Sequence, residues 1–273
     1  MNKLNLDTQA RIIHALVEGN SIRSTECMLG VHRDTIMRLG VRVGNACMEF
    51  SNATIRGVNC KRIELDEIWC YVGKKQRHVT ANDDESQVGD MWTWVAIDPD
   101  TKLVPSYVVG KRNYGAAHRL VTDLSSRLVN RVQLSSDGLA LYVDAVRSAF
   151  GPDVDYGQIV KAYEAEAIGP GRYSPPHVTS VRRTQISGSP KDRMISTSMV
   201  ERQNLTMRMQ MRRFTRLTNA FSKKRENLEA AVALHFAYYN FCRKHGTRKA
   251  TPAMAVGLIG SPMSVRELVV LGS

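Results

Sequence analysis

The chain has 273 residues, of which 43% are hydrophobic and 23% are charged, a balance typical of a folded globular protein. This composition excludes a disordered chain and a small disulfide scaffold, and no run approaches the roughly 18 apolar residues that span a bilayer. The start of the sequence has no apolar signal core, which favours a cytoplasmic protein without membrane contact. The cysteines form no C-x-x-C pair, so we expect reduced thiols and no zinc.

The formal net charge of +12 is concentrated in one part of the chain. Residues 180–250 contain 16 Lys and Arg against 4 Asp and Glu, whereas the remaining residues contain 22 of each and cancel. A positive field confined in this way suits a polyanion, and nucleic acid is the commonest one. A solvated basic surface with no partner is the alternative at this point.

The first 50 residues are predicted to form three short helices. Asp7 can cap the first helix, and Ser21 can cap the second. A tight glycine turn then leads into a third helix that begins at about His32. This order predicts an all-α helix-turn-helix domain over residues 1–50.

The third of these helices presents side chains that could bind DNA. Its exposed face is predicted to offer groups suited to base edges and phosphates, namely Arg33, Thr35, Arg38 and Arg42. The basic side chains favour DNA as the partner. A plain three-helix bundle is the alternative interpretation.

A change to β-branched and aromatic residues after residue 60 predicts a sheet. The predicted elements are a strand over 61–72, a hairpin over 90–110, a helix from Asn113 or Tyr114 to near Asn130, a strand over 131–137 and a helix over about 139–150. Strands alternating with helices indicate an α/β fold with a mixed sheet flanked by helices.

The last part of the α/β domain, predicted over 60–245, includes a segment with weak patterning. Residues 151–195 contain five of the nine prolines, so we expect an extended, partly irregular insertion with at most one small element. Two helices are predicted after it, over about 198–218 and 223–244. Residues 246–273 are expected to form a C-terminal tail.

Three carboxylates are placed where a sheet of this kind would bring side chains to one end. Asp66 lies inside the apolar first strand, where an unpaired acid is costly to bury. Asp137 follows the fourth strand directly, at the carboxyl end where α/β sheets bind ligands. Glu201 begins the long basic helix. Its helical face is shared by three polar residues: Asn204, Arg208 and Arg212.

Three carboxylates could hold two hard divalent ions for phosphoryl transfer, and Mg²⁺ fits because it prefers oxygen ligands. The other acids of the first strand are weaker candidates for metal ligands. Glu67 is expected on the sheet face opposite Asp66, and Glu64 nearer the start of the strand. Either could position the metal-binding acids without binding the metal itself. Nucleophilic serine or cysteine catalysis has no motif here.

Several stretches resemble a transposase of the insertion-sequence-one family, a branch of the DDE recombinases. The matching runs are Leu65–Gly73, Ser136–Tyr142, Val200–Arg208, Arg213–Leu217, Ala220–Lys224, Ala237–His245 and Thr251–Ala253. The most specific is the Glu-Arg-x-Asn-Leu-x-x-Arg string, which joins the third acid to a basic residue seven positions later. The resemblance extends over about residues 7–258.

The resemblance implies a ribonuclease-H-like fold preceded by a helix-turn-helix. It implies that Asp66, Asp137 and Glu201 form a catalytic triad that binds two Mg²⁺ ions, for which Mn²⁺ can substitute, and that Arg208 contacts DNA. The implied partner is double-stranded DNA, both the transposon's terminal inverted repeats and the target. The implied activity is 3′-end cleavage and strand transfer by a homodimer or higher oligomer, associated with the bacterial nucleoid.

Two departures from the family pattern stand out. The chain has no amino-terminal cysteine ribbon, and the segment between Asp137 and Glu201 is longer than in the best-known members. Two other functions stay open. One is a transposase-derived DNA-binding regulator without activity, and the other is a ribonuclease-H-like nuclease that cuts DNA but does not join it.

Overall fold

The chain forms one six-stranded sheet with helices on both faces, as seen in a computed structural model that describes residues 4–164, 177–215, 218–246 and 248–273. The strands are β1 Arg62–Val72, β2 Gly89–Ile97, β3 Ser106–Gly110, β4 Val132–Ser136, β5 Val154–Glu164 and β6 His177–Ser187. The helices of the described residues are α1 Leu6–Val17, α2 Ile22–Leu29, α3 Arg33–Thr54, α4 Tyr114–Ser125, α5 Leu141–Phe150, α6 Ser198–Gln210, α7 Arg225–Ala237, α8 Pro252–Ala255 and α9 Val265–Leu271.

The strands lie in the order β3-β2-β1-β4-β5-β6. β1, β2 and β3 form an antiparallel meander, β4 runs parallel to β1, β5 runs parallel to β4, and β6 returns antiparallel to β5. This mixed α/β arrangement confirms the predicted sheet flanked by helices and is consistent with a ribonuclease-H-like fold.

Two buried clusters cover the opposite faces of the sheet. On one face, Leu65 and Trp94 pack with residues of α4 and α5, including Tyr142. On the other face, Ile68 packs with residues of α6 and α7, including Met207. Successive residues of β1 therefore alternate between the two layers, as expected for a central strand covered on both sides.

The predicted irregular insertion at 151–195 is wrong over the residues that the structure describes there. Two 11-residue strands, β5 and β6, extend the sheet at this point. Pro152 and Pro190 flank the hairpin instead of interrupting it, and the other three prolines lie outside the described residues, within 165–176. Prolines at strand ends do not break a ladder of hydrogen bonds, so their number was misleading.

The two late helices are shorter than predicted. α6 ends at Gln210, because Met211 has an extended backbone with φ −119° and ψ 105°, and a 3₁₀ turn follows over Arg212–Phe214. Arg212 therefore leaves the helical face assigned to it. Arg216 and Leu217, at the end of the predicted helix, lie outside the described residues. α7 continues into a π-turn at Tyr238–Cys242.

The amino-terminal helices share a buried core with the sheet. The side chain of Ser21 caps α2 as predicted, whereas Asn5, and not Asp7, caps α1. α3 packs against α7 so closely that a Cβ at Gly44 would lie 2.2 Å from the carbonyl oxygen of Ala230. The predicted order of three helices is present, and the helix-turn-helix domain stays a prediction.

The carboxyl-terminal segment also contributes to this core. α9 packs against α1 and α3, and its Leu268 and Val269 are buried in the same cluster as Ile12. None of the helices in the described parts of the chain has the length and apolar composition to cross a bilayer.

Candidate active site

Asp66 and Asp137 come together because of the register between β1 and β4. The last residues that the two parallel strands pair are Leu65 and Ser136. Asp66 is the next residue of β1, which continues to Val72, and Asp137 directly follows the last residue of β4. Both aspartates therefore stand where the β1–β4 ladder stops, at the carboxyl end of β4. This is the edge at which open α/β sheets bind ligands.

Glu67 adds a third carboxylate to this pair. One carboxylate oxygen from each of Asp66, Glu67 and Asp137 lies within 4.8 Å of the other two. Glu67 does point to the sheet face opposite Asp66, as expected, but its carboxylate is also one of the three that could hold a metal ion. Its oxygen Oε2 accepts from the hydroxyl of Tyr142 on α5, at 3.0 Å, as alternation requires. Because β4 no longer separates the two faces here, the carboxylate still reaches the aspartates.

Glu201 lies on the wall of the same cavity, outside this cluster. The cavity has a volume of about 450 Å³ and is lined by Asp66, Asp137 and Glu201 among others. Glu201 Oε1 accepts from Thr197 Oγ1 at 2.6 Å and forms an ion pair with Lys161 of β5. The structure therefore brings the two aspartates together and places the predicted third acid on the wall of the same cavity, paired with a lysine.

The placement of α6 depends on a buried acid of β1. Glu64 is 2% exposed, and its Oε2 accepts from the backbone N–H groups of Met199 and Val200 at 2.7 and 3.0 Å. These N–H groups belong to the first turn of α6, where a carboxylate also interacts favourably with the helix dipole. Glu64 therefore fixes the end of the helix that carries Glu201.

Asn204 connects α6 to the acid cluster. Its Nδ2 donates to Asp66 Oδ2 at 2.8 Å, and the residue is 6% exposed. Its other amide atom, Oδ1, is buried without a hydrogen-bond partner. An orphaned carbonyl oxygen beside three carboxylates is an unsatisfied acceptor that a cation would satisfy.

Burial and neighbouring carboxylates raise the pKa of Asp66 and of Glu67. Burial, then the charges of Glu67, Asp137 and Glu201, raise the pKa of Asp66 to about 7. Burial first, and then Asp137, raise the pKa of Glu67, although the hydrogen bond from Arg112 opposes the shift. Ion pairing to Arg112, at 2.8 Å, compensates part of this crowded negative charge. Crowding of this kind favours a bound cation.

The donor set fits a hard divalent ion. It consists of carboxylate oxygens and one amide oxygen, without sulfur or imidazole, and such oxygen sets suit Mg²⁺ or Mn²⁺. Asp66, Glu67 and Asp137 could each supply a ligand to one ion, since their oxygens are mutually close. Glu201 could supply a further ligand from the cavity wall.

The predicted DNA-reading residues of α3 occupy different settings. Arg33 and Arg38 are exposed, and Thr35 is half-buried. Arg42 is exposed but donates from Nη2 to Gln9 Oε1 of α1 at 2.5 Å, which ties it to the neighbouring helix. Arg33 and Arg38 are therefore the residues of this set most open to a ligand.

The predicted DNA-binding residues in and after α6 also lie in different environments. Asn204 is buried at the acid cluster and faces Asp66 instead of the exterior. Arg208 is half-buried on α6, and its backbone carbonyl accepts from Thr215. Arg212 is exposed on the 3₁₀ turn beyond the helix. These positions do not form the single polar face that helical spacing predicted.

Sequence reasoning missed four residues of the site, which contact the acids or line the cavity: Arg112, Tyr142, Lys161 and Thr197. It considered Glu67 only as a supporting residue and not as a metal ligand. Only Glu67 carried a local signal, since it adjoins Asp66. The others reach the site through the pairing of β4 with β5 and the end of β3, which single-sequence patterns do not define.

Comparisons with known proteins give limited results. No protein-family model matches the sequence, and no curated protein matches it. Among solved structures, the chain is similar to a "Mos1 transposase paired-end complex with left transposon end", with TM-score 0.23, 14% identity and coverage of 55% of this chain and 57% of that chain. It is also similar to a "Mos1 Strand Transfer Complex", with TM-score 0.25, 13% identity and coverage of 86% of this chain and 78% of that chain.

The chain thus spans 57% of the length of the first of these structures. Similarities at such TM-scores define neither the fold nor the function of this chain. The residues of the site carry the functional argument.

Proposed function

We propose that this chain is a DNA transposase of the DDE type. In this proposal it cuts the 3′ ends of a transposon at its inverted repeats and joins them to target DNA. The observation that carries the proposal is the meeting of Asp66 and Asp137 where the ladder between β1 and β4 ends, with Glu201 on the wall of the same cavity. These are the three acids that the sequence resemblance selects. The mixed sheet and the basic region 180–250 support the same function.

Divalent ions are the proposed cofactor, with Mg²⁺ expected and Mn²⁺ as a substitute. Asp66, Glu67 and Asp137 would hold one ion, and Glu201 would supply the acid for a second. When bound, such ions activate an attacking oxygen and stabilise charge on the leaving oxygen in phosphoryl transfer. The buried Oδ1 of Asn204 is a further oxygen donor beside Asp66.

The proposed reaction exchanges phosphodiester bonds in two steps. Water first attacks the phosphorus at the transposon end, and the bond to the transposon's 3′ oxygen breaks to release a 3′ hydroxyl. That hydroxyl then attacks a target phosphodiester and displaces the target's own 3′ oxygen, so no covalent protein intermediate forms. Arg112 and Lys161, both on the cavity wall, are the cations placed to contact the phosphate.

End recognition is assigned to the amino-terminal helices. Arg33 and Arg38 are exposed on α3 and can contact bases or phosphates, whereas Arg42 is held by Gln9. Pairing two transposon ends requires two copies of the site, so the proposed active form is at least a homodimer.

The test is cleavage of supercoiled plasmid that carries the DNA flanking the gene. We expect Mg²⁺-dependent nicks at the 3′ ends and joining to a second plasmid. Asp66→Asn and Asp137→Asn should each lower the cleavage rate about 10³-fold or more, since several kcal/mol of charge stabilisation is lost. DNA binding should persist. Asp144→Asn, on the exposed surface of α5, is the matched control and should cut normally.

The same assay separates the alternatives. Cleavage without joining would indicate a nuclease, and binding without cleavage in any divalent ion would indicate a regulator. If Asp66→Asn and Asp137→Asn cut at the wild-type rate, the assigned site is wrong.

A further inference from the structure

A row of aromatic rings, exposed at Trp69 and half-buried at Tyr71 and Phe221, continues from the acid cluster along β1. Trp69 is 38% exposed, an unusual state for a tryptophan on a central strand. Its ring centroid lies 6.0 Å from that of Tyr71, which lies 4.6 Å from that of Phe221. We name Trp69, Tyr71 and Phe221 the aromatic platform. Their spacing is that of interacting aromatic pairs, and their ring planes are tilted by 37° and 31° between neighbours.

The platform is aligned with the site by the geometry of the strand. Side chains at alternate positions of β1 share a face, so Glu67, Trp69 and Tyr71 follow one another about 7 Å apart. β4 stops pairing with β1 at Leu65, and the next contact on that edge is the bridge between Val72 and Ser222. The missing strand partner leaves an open edge between the carboxylates and Phe221.

A basic residue lies near each end of the platform, and the one at the cavity end is paired with an acid. Arg112 is 45% exposed and pairs with Glu67 at the end nearest the cavity. At the far end, Lys223 is exposed and its backbone carbonyl abuts Gly73, one residue beyond β1. Asp90, opposite Tyr71 in the sheet, lies within electrostatic range of Lys111, which offsets its charge. Flanking cations beside exposed rings suit a nucleotide, whose base is planar and whose phosphate is anionic.

We propose that the aromatic platform stacks an unpaired base of the DNA whose phosphate enters the acid cluster. A paired base inside a duplex has its faces covered by its neighbours, so only an unpaired or flipped base can offer a face to Trp69. Bringing a backbone phosphate down to Asp66 and Asp137 also favours a locally opened duplex. This inference rests on the proposed function, and it adds a ligand for residues that metal binding does not use.

The experiment compares two short duplexes in EDTA, which prevents cleavage. One is fully paired, and the other carries two unpaired nucleotides at its 3′ end, with 5-iododeoxyuridine at the first. We expect the full-length protein to prefer the second duplex. Long-wavelength irradiation should crosslink the iodinated base to Trp69 or Tyr71, as identified by mass spectrometry of the wild-type protein, which requires no variant to fold.

Variants then measure the stacking contribution. Trp69→Ala should lose about 5- to 150-fold in affinity for the unpaired duplex, the range found for one base stacked on an aromatic side chain, and little for the paired one. Trp69→Phe should keep most of the preference because it keeps a ring. Val129→Ala, at another exposed apolar position that is 68% exposed, is the control.

The outcomes distinguish this inference from the proposed function. Equal affinity of the wild-type protein for both duplexes, or a crosslink elsewhere than the platform, would overturn the stacking site while leaving the transposase assignment intact. An unchanged preference in Trp69→Ala would do the same. Failure of the wild-type protein to bind either duplex would contradict both.

Discussion

The side-chain amide of Asn204 is oriented by Asp66. Its Nδ2 donates to Asp66 Oδ2 at 2.8 Å, while its Oδ1 is buried without a partner. A flipped amide would place two acceptor oxygens against each other, so the carboxylate selects the observed orientation. Asn204 therefore joins α6 to β1, and its Oδ1 is an unsatisfied oxygen next to the amide nitrogen that binds Asp66. A buried acceptor without a partner lowers the stability of the folded protein, and a bound cation would remove this penalty by accepting the oxygen as a ligand.

Asn204→Ala should weaken divalent-ion binding about 10- to 100-fold, the usual effect of removing a group that orients a metal ligand. Isothermal titration with Mn²⁺ measures this directly. Thr206→Ala is the matched control on the same helix, because the Thr206 hydroxyl only returns a hydrogen bond to the carbonyl of Arg202. Equal Mn²⁺ affinity in the wild-type and Asn204→Ala proteins would show that Asn204 has no part in the site.

Glu64→Ala should lower the free energy of unfolding by about 2–4 kcal/mol, because two buried N–H groups of α6 lose their acceptor. Urea unfolding followed by circular dichroism gives the value. Glu226→Ala provides the comparison: Glu226 is likewise an acid at the amino-terminal end of a helix, α7, but its side chain is 67% exposed, so the loss should stay below about 1 kcal/mol. Similar losses in the two variants would contradict the anchoring role of Glu64.

The parts of the fold that follow from local chemistry could be predicted from the sequence. The side chain of Ser21 caps α2 and that of Asn113 caps α4, because a capping side chain bonds to an N–H only two or three residues away. The first cap was placed at Asp7 instead of Asn5, an error of two residues of the kind expected at helix ends. The meeting of Asp66 and Asp137 was also predictable, since one is an acid inside an apolar strand and the other directly follows the end of a neighbouring strand.

The position of the Glu67 carboxylate and the existence of β6 could not be predicted, because both depend on how strands pair. Alternation along β1 separated Glu67 from Asp66, and only the end of the β1–β4 ladder at Leu65 brings their carboxylates together. Strand β6 lies at the sheet edge with mostly exposed side chains, so its sequence lacks the apolar pattern that marks a covered strand. Pairing with β5 makes it a strand, and pairing over this distance leaves no local signal.

Asp66 should make the metal-free protein less stable as the pH rises. Its folded pKa, about 7, is above the ordinary value of 3.8, so the native state binds the proton more tightly than the unfolded chain does. Its stabilising contribution is complete below about pH 4 and is lost as the pH rises to about 7. Relative to Asp66→Asn, the wild-type protein should lose on the order of 3 kcal/mol over this range in EDTA.

Urea unfolding at several pH values measures this difference. Asp144→Asn, with its exposed carboxyl, should show no comparable change relative to the wild-type protein. A constant difference between the wild-type and Asp66→Asn proteins from pH 4 to pH 8 would exclude the raised pKa.

Lys161 should act on the metal and on DNA in opposite directions. Its ammonium group forms an ion pair with the carboxylate of Glu201, so a metal ion must compete with Lys161 for that carboxylate. Lys161→Gln should therefore strengthen Mn²⁺ binding about 5-fold, equivalent to roughly 1 kcal/mol of relieved competition. Its cleavage rate should nevertheless fall, because a cation that can contact the phosphate is lost from the cavity wall. Lys191→Gln removes the same charge at an exposed position outside the cavity and should change neither quantity. If Lys161→Gln weakened Mn²⁺ binding, Lys161 would have to hold Glu201 in its ligating position instead of competing for it.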